Sequence, residues 1–281
     1  MSLRVRPLTE QTILITGSTD GLGLATARTL ADRGATVLVH GRNGERGGRA
    51  VSELRERTGN DGHRAYIADL SRLDDVRLLA ADVADENDRL DALVNNAGIA
   101  TLDAERKLSD DGHELTFAVN YLSHFLLTEL LLPLLVRSGP ARIVNVASVG
   151  QSPIDFDDLM LERGYDGFRA YSQSKLAQIM FTFELAERLN PLEVTAHALH
   201  PATLMDTKMV REGLGRVLSR VEEGVRALVR LVASPELDGV SGHYFDGLQE
   251  STADEQAYDP EARRRLWELS MRLCGLTRAP A

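Results

Sequence analysis

Short apolar, β-branched runs alternate with stretches whose apolar residues recur at helical spacing along most of the chain. Residues 12–16, 35–39, 64–68, 90–94, 142–147 and 194–199 read as strands, and 243–245 as a short last one. Residues 22–32, 46–57, 76–84, 114–136, 171–189 and 222–232 read as helices. Such alternation predicts an α/β fold: a doubly wound, Rossmann-type parallel sheet with helices on both faces. No repeat, low-complexity block or linker interrupts it, so residues 1–281 are expected to form one domain.

The pattern weakens in the C-terminal third. Residues 203–220 scatter Met205, Met209, Leu214 and Leu218 among polar positions, which suits a mobile lid over a substrate. Residues 260–281 are expected to form a C-terminal helix and tail. Arg263, Arg264, Arg265 and Arg272 there accompany Leu266, Trp267 and Leu269. A basic amphipathic helix can lie on a membrane, but packing its apolar side on the body is the favoured expectation. The most apolar stretch, 121–136, is broken by Ser123, His124, Thr128, Glu129 and Pro133. It reads as a helix buried on several sides, a second subunit among its candidate neighbours, rather than as a membrane span.

Composition narrows the partners. Hydrophobic residues make up 43% of the chain, enough for a packed core. The formal net charge of -10 argues against nucleic acid, whose backbone demands a basic face. The single Cys274 cannot form an internal disulfide, which fits a reducing compartment. Residues 1–7 lack the apolar core of a secretion signal, so a cytoplasmic location is expected.

Two patterns carry chemistry. The first strand runs into Gly17-Ser18-Thr19-Asp20-Gly21-Leu22-Gly23, which opens a helix. Gly17 suits a tight turn, Gly21 a close approach of backbone to ligand, and Gly23 close packing of helix on strand. The helix N-terminus then offers free N–H groups to a pyrophosphate. At the end of the second strand Gly41 supplies no acid for a ribose hydroxyl, and Arg42 follows. Arg42 there either pairs with a 2′-phosphate or is a solvated loop residue, with Asn43 as another contact. NADP(H) is therefore expected over NAD(H), with Asp20 as an opposing charge. The second pattern is Tyr171 and Lys175, four residues apart on one helical face. A cation beside a phenol favours the phenolate and offers an acid working near neutral pH. A pair of this spacing also arises by chance in many helices.

With these motifs in order, the chain resembles the short-chain dehydrogenase/reductase family over nearly its full length. The glycine turn has that family's T-G-x-x-x-G-x-G form. Asp69 and Leu70 stand where the family holds adenine, and Asn95-Asn96-Ala97-Gly98 matches its motif after the fourth strand. Asn120, Ser148, Tyr171 and Lys175 match its catalytic positions. Residues 108–115, 154–159 and 171–177 look like the retinol-dehydrogenase-like branch, and the stretch from Ser148 to Tyr171 suggests an enlarged substrate loop. Pro201-Ala202 departs from the usual Pro-Gly. The nicotinamide-contacting threonine is either Thr203 or Thr207.

The resemblance implies an oxidoreductase that interconverts a carbonyl and an alcohol on a small molecule. Tyr171 would move the proton and Ser148 hold the substrate oxygen. Lys175 would lower the phenol's pKa and hold the ribose, and Asn120 would anchor a relay water. Phe156, Met160, Leu204, Met205 and Met209 suggest an apolar pocket, although core packing accounts for such residues as often. A homodimer or homotetramer is expected, paired through helices 114–136 and 171–189. The rival readings are a non-catalytic NADP-binding regulator or scaffold and, more weakly, a metal hydrolase. Against the latter, His40, His63, His113, His124, His197, His200 and His243 show no metal-ligand spacing, so no metal is expected.

Overall fold

A computed structural model describes residues 5–100, 105–207, 210–211 and 216–276. Among these, one eight-stranded sheet has the order β3-β2-β1-β4-β5-β6-β7-β8. The strands are β1 (Thr12–Ile15), β2 (Thr36–Gly41), β3 (Arg64–Ile67), β4 (Ala92–Asn95), β5 (Ala141–Val146), β6 (Val194–His200), β7 (His243–Asp246) and β8 (Gln249–Glu250). All pairings are parallel except the last. The two-residue β8 has too short a pattern for sequence periodicity to detect.

The parallel strands are buried on both faces, and alternate side chains feed two cores. Ile13, Ile15, Val37 and Val39 join α1 (Gly21–Asp32), α2 (Gly44–Thr58) and α6 (Val221–Ala233). Leu14, Leu38, Leu93 and Ile143 join α3 (Leu73–Glu86), α4 (Leu115–Ser138), α5 (Gly167–Arg188) and α7 (Pro260–Leu273). Local chemistry sets the helix ends. The Asn43 side chain caps α2, which stops at Gly59 with φ 68°, where a side chain would be strained. The Asp166 side chain caps α5 five residues before Tyr171. In α4 the backbone widens into a π-turn over Ala118–Leu122, around Asn120. The sequence predicts a continuous helix there, because side-chain periodicity barely registers one wide turn. π-turns recur at functional sites.

By length and composition α4 could cross a membrane, with a mean hydropathy of 1.5 in its most apolar window. Its position in the core accounts for that composition, since 72% of the window is buried within the protein. The C-terminal helix packs its apolar side on the body. Leu266 is buried, and the Trp267 ring lies 5.1 Å from Phe125 and 5.7 Å from Phe181. Arg188 stacks over the same indole at 4.2 Å. This packing bears on the expected oligomer. Every residue of α5 from Ser172 to Leu185 is buried within one chain, so that face is not available to a second subunit.

Candidate active site

The glycine turn, α1 and the loops after β2, β4, β5 and β6 meet at the C-terminal edge of the sheet, where open α/β sheets bind ligands. Gly17 has φ 63°, and a β-carbon there would stand 2.8 Å from Ala97 Cα. Asn96 Nδ2 donates to the Thr16 carbonyl at 2.8 Å and to the Gly17 carbonyl at 3.2 Å, tying the turn to the loop after β4. The first-turn N–H groups of α1 at Leu22 and Gly23 have no partner within the helix, so they can receive a phosphate. Thr207 lies against this seat: a β-carbon on Gly21 would be 3.6 Å from its Cγ2. Thr203 instead lies 3.1 Å from His200 Nε2. Of the two candidate threonines, Thr207 is the one at the glycine turn.

Several expected contacts are engaged within the chain. The Ser18 hydroxyl donates to the Ile15 carbonyl at 2.7 Å and accepts from the His40 N–H at 3.0 Å, and the Ser18 N–H donates to the His40 carbonyl. Ser18 therefore braces the turn from inside, its hydroxyl proton committed to the backbone. Leu70 is buried in the core. Asp69 accepts from the Ser71 N–H and hydroxyl at 2.9 and 2.8 Å. Asn43 spends its carbonyl oxygen on the Arg46 N–H at 2.9 Å.

The end of the second strand is clearer. Arg42 is exposed and, among the described residues, makes no ion pair. Gly41 is forced, because a β-carbon there would stand 2.6 Å from Thr19 Cγ2 and 2.9 Å from Thr19 Oγ1. Asp20 caps α1 through the Gly21 N–H at 2.8 Å and lies 3.5 Å from Arg46. The opposing charge expected from Asp20 is thus answered by a cation that sequence reading did not single out.

Ser148, Tyr171, Lys175 and Asn120 come together behind this seat. The Ser148 hydroxyl accepts the Gly150 N–H at 3.1 Å and stands beside the Tyr171 ring: a β-carbon on Gly150 would be 3.5 Å from Ser148 Oγ and 3.8 Å from Tyr171 Cε1. Lys175 Nζ lies 5.7 Å from the Tyr171 ring centre and donates to the Val146 carbonyl at 2.8 Å. Gly98 faces both partners: a β-carbon there would be 3.3 Å from Asn120 Oδ1 and 3.6 Å from Lys175 Nζ. Asn120 is committed as a clamp. It accepts from the Ile99 N–H at 2.8 Å and donates to the Ile99 carbonyl and the Ser174 hydroxyl at 3.0 Å each.

The electrostatics run opposite to the sequence expectation. Burial raises the Tyr171 phenol above its ordinary value, with the Ser148 hydroxyl opposing. Burial also pulls the Lys175 ammonium down to about 7. The site thus holds a neutral phenol beside an easily neutralised lysine, because desolvation disfavours the charged form of each.

Two buried histidines support the site. The Gly17 N–H donates to His40 Nδ1 at 3.1 Å, and His40 Nε2 lies 3.2 Å from the Ala68 carbonyl. A carbonyl only accepts, so Nε2 carries the proton. His124 Nδ1 lies 3.0 Å from the Asn120 carbonyl and its Nε2 3.1 Å from the Thr16 hydroxyl. By the same argument Nδ1 carries the proton, and Thr16 donates to Nε2 while accepting the Asn96 and Ala97 N–H groups at 2.9 Å each. The available signal was a polar residue inside an otherwise apolar strand or helix. It marks a buried polar contact without naming the partner.

The stretch between Ser148 and Tyr171 is tied to α5. Gln173 accepts from the Asp155 N–H at 3.1 Å and donates to the Leu159 carbonyl at 2.9 Å. Phe156 and Met160 pack partly buried against the core, and Met205 packs against the opposite core. Met209 and Leu214 lie outside the described residues.

This arrangement defines a dinucleotide-dependent oxidoreductase, and comparison with known proteins agrees. A family model described as short chain dehydrogenase matches residues 11–214. Retinol dehydrogenase 13 of Mus musculus is 39% identical over 292 residues, covering 96% of this chain and 85% of that protein. Retinol dehydrogenase 14 of Homo sapiens is 38% identical over 299 residues, covering 95% and 87%. An uncharacterized protein from Mycobacterium paratuberculosis has a similar crystal structure, with TM-score 0.78 and 31% identity over 98% of this chain and 97% of that one. A short chain dehydrogenase from Escherichia coli complexed with NADPH gives TM-score 0.71 and 27% identity over 85% and 97%. The chain belongs to the short-chain dehydrogenase/reductase family, on its retinol-dehydrogenase-like branch, and is an NAD(P)-dependent enzyme acting on a small molecule.

Proposed function

We propose that this enzyme interconverts a carbonyl and an alcohol on an apolar small molecule, with Tyr171 as the acid/base and NADP(H) as the favoured cofactor. The convergence of Ser148, Tyr171 and Lys175 carries this reading, with the Ser148 hydroxyl beside the phenol ring and the ammonium on the ring's flank. The nicotinamide, when bound, supplies or takes the hydride. Ser148 holds the substrate oxygen, and Tyr171 passes its proton to that oxygen in reduction. Burial keeps the phenol protonated, which is the starting state for reduction; oxidation needs the phenolate that burial opposes. Lys175 has two of its three N–H groups engaged, on Val146 and Gln178, and the third is available to a ribose hydroxyl.

Free Arg42 beside a side-chain-free Gly41 supports NADP(H), and the Arg46–Asp20 pair reduces the repulsion a second phosphate would meet. The names of the relatives support an apolar alcohol or aldehyde as substrate. The lid reading rests on a narrow neck. Met205 bridges to Ser219, the Leu218 N–H donates to the Leu204 carbonyl at 3.0 Å, and Leu204 sits at φ 46°, a strained value for leucine.

Tyr171→Phe tests the central claim. It should remove turnover with NADPH and a carbonyl panel while NADPH affinity stays within a few-fold. Retention of more than about a tenth of kcat, a barrier change under about 1.4 kcal/mol, would remove Tyr171 from the role.

A further inference from the structure

Lys175 is surrounded without being neutralised. Its neighbours that can titrate are Tyr171 one turn back on α5, His124 from α4 and His200 from β6. Among the described residues no carboxylate pairs with it. Its one side-chain acceptor is Gln178 Oε1, at 2.9 Å and three residues along the same helix. Gln178 is itself only 1% exposed. A buried ammonium donates and never accepts, so the amide must turn its oxygen to Lys175 and its nitrogen away. That nitrogen lies 3.3 Å from His124 Nδ1, whose proton goes to the Asn120 carbonyl, so the imidazole gives the amide no acceptor there. The His124 ring is neutral: burial, with Lys175 adding repulsion, pushes it down to about 3.

We propose that Gln178 is the positioning residue for Lys175: its amide oxygen aims the ammonium and favours its charged form, and because the amide is neutral it leaves that charge uncancelled for the phenol and the cofactor ribose. A carboxylate at 178 would hold the lysine permanently charged and screen it from Tyr171. An apolar residue would leave a buried cation with one acceptor fewer. The geometry stands without a cofactor; the purpose rests on the oxidoreductase reading.

The chain has three lysines, Lys107, Lys175 and Lys208, so 13C-lysine labelling gives a short set of resonances to titrate by NMR without cofactor. In wild type, Lys175 should titrate near 7. Gln178→Leu should lower that midpoint by about one to two pH units, the tenfold to hundredfold that a hydrogen bond to a charged group is worth. Gln178→Glu should raise it. A purely structural role would move neither, or both in one direction. If Gln178→Leu fails to fold, Gln178→Met keeps the length without the amide acceptor and carries the same expectation. An unchanged Lys175 midpoint in a folded Leu or Met variant overturns the proposal. Fluorescence titration with NADPH separates the two readings: absent binding by wild type with the lysine shifts intact would sink the cofactor assignment and leave Gln178's role standing.

Discussion

Gly41 and Thr19 form a steric pair whose consequence can be worked from the structure. A β-carbon on Gly41 would meet Thr19 Cγ2 at 2.6 Å and Oγ1 at 2.9 Å. Threonine carries two heavy atoms over three staggered positions on Cβ, and both positions facing Gly41 are filled. Rotation about χ1 empties at most one of them, so Gly41→Ala forces a backbone shift. Overpacking of this kind costs about 1–3 kcal/mol. Replacing a glycine without a left-handed φ returns about 0.4–1 kcal/mol through the unfolded chain. The net expectation is destabilisation of roughly 1–2 kcal/mol, or about 2–8 °C in Tm at the scale of a large domain. Thr19→Ser keeps one heavy atom, which can occupy the empty position. The double variant Gly41→Ala/Thr19→Ser should therefore recover most of the loss, with a coupling of about 1 kcal/mol in a double-mutant cycle. Urea or thermal denaturation followed by circular dichroism measures all four proteins. A Gly41→Ala protein as stable as wild type, or a double variant no better than the single, refutes the steric account. It would also remove the structural reason why no ribose-binding acid stands at this position.

Two further outcomes are expected. Arg42→Ala should lower the NADPH-over-NADH ratio of kcat/KM by about 10- to 150-fold, the worth of a charge-assisted phosphate contact. Arg46→Ala should lower it less, by freeing the Asp20 carboxylate; ratios unchanged in both would assign cofactor choice elsewhere. Acid stability follows from the buried histidines. Burial holds His40 at about 4 in the folded protein against 6.5 for an ordinary imidazole. The unfolded chain therefore binds protons first as pH falls, so stability present above 6.5 is lost progressively down to about 4. His40→Asn should flatten the decline of Tm across that window, and parallel declines would show that His40 is not held neutral by burial.

The position of the site was legible because its markers are local. A glycine triplet between a strand and a helix predicts a phosphate seat whatever lies around it, and Gly17 and Gly23 make the close backbone approaches that such a turn needs. Tyr171 and Lys175 share a face because helix geometry fixes the four-residue step. The linear pattern makes Ser18 and Leu70 candidate ligand contacts without recording that both side chains are buried. Nothing in a motif records which way a side chain faces.

The sequence alone determined the strand–helix alternation, the parallel sheet and the order of the motifs, since a period of 2 or 3.6 is a property of neighbouring residues. The tertiary structure decided what those residues are chemically. The Lys175 ammonium rests on Val146, 29 positions away, and the Thr16 hydroxyl on His124, 108 positions away. Whether the phenol is raised or lowered depends on how much water such distant neighbours exclude. Desolvation is set by everything packed around a group, so it is decided only when the chain has folded.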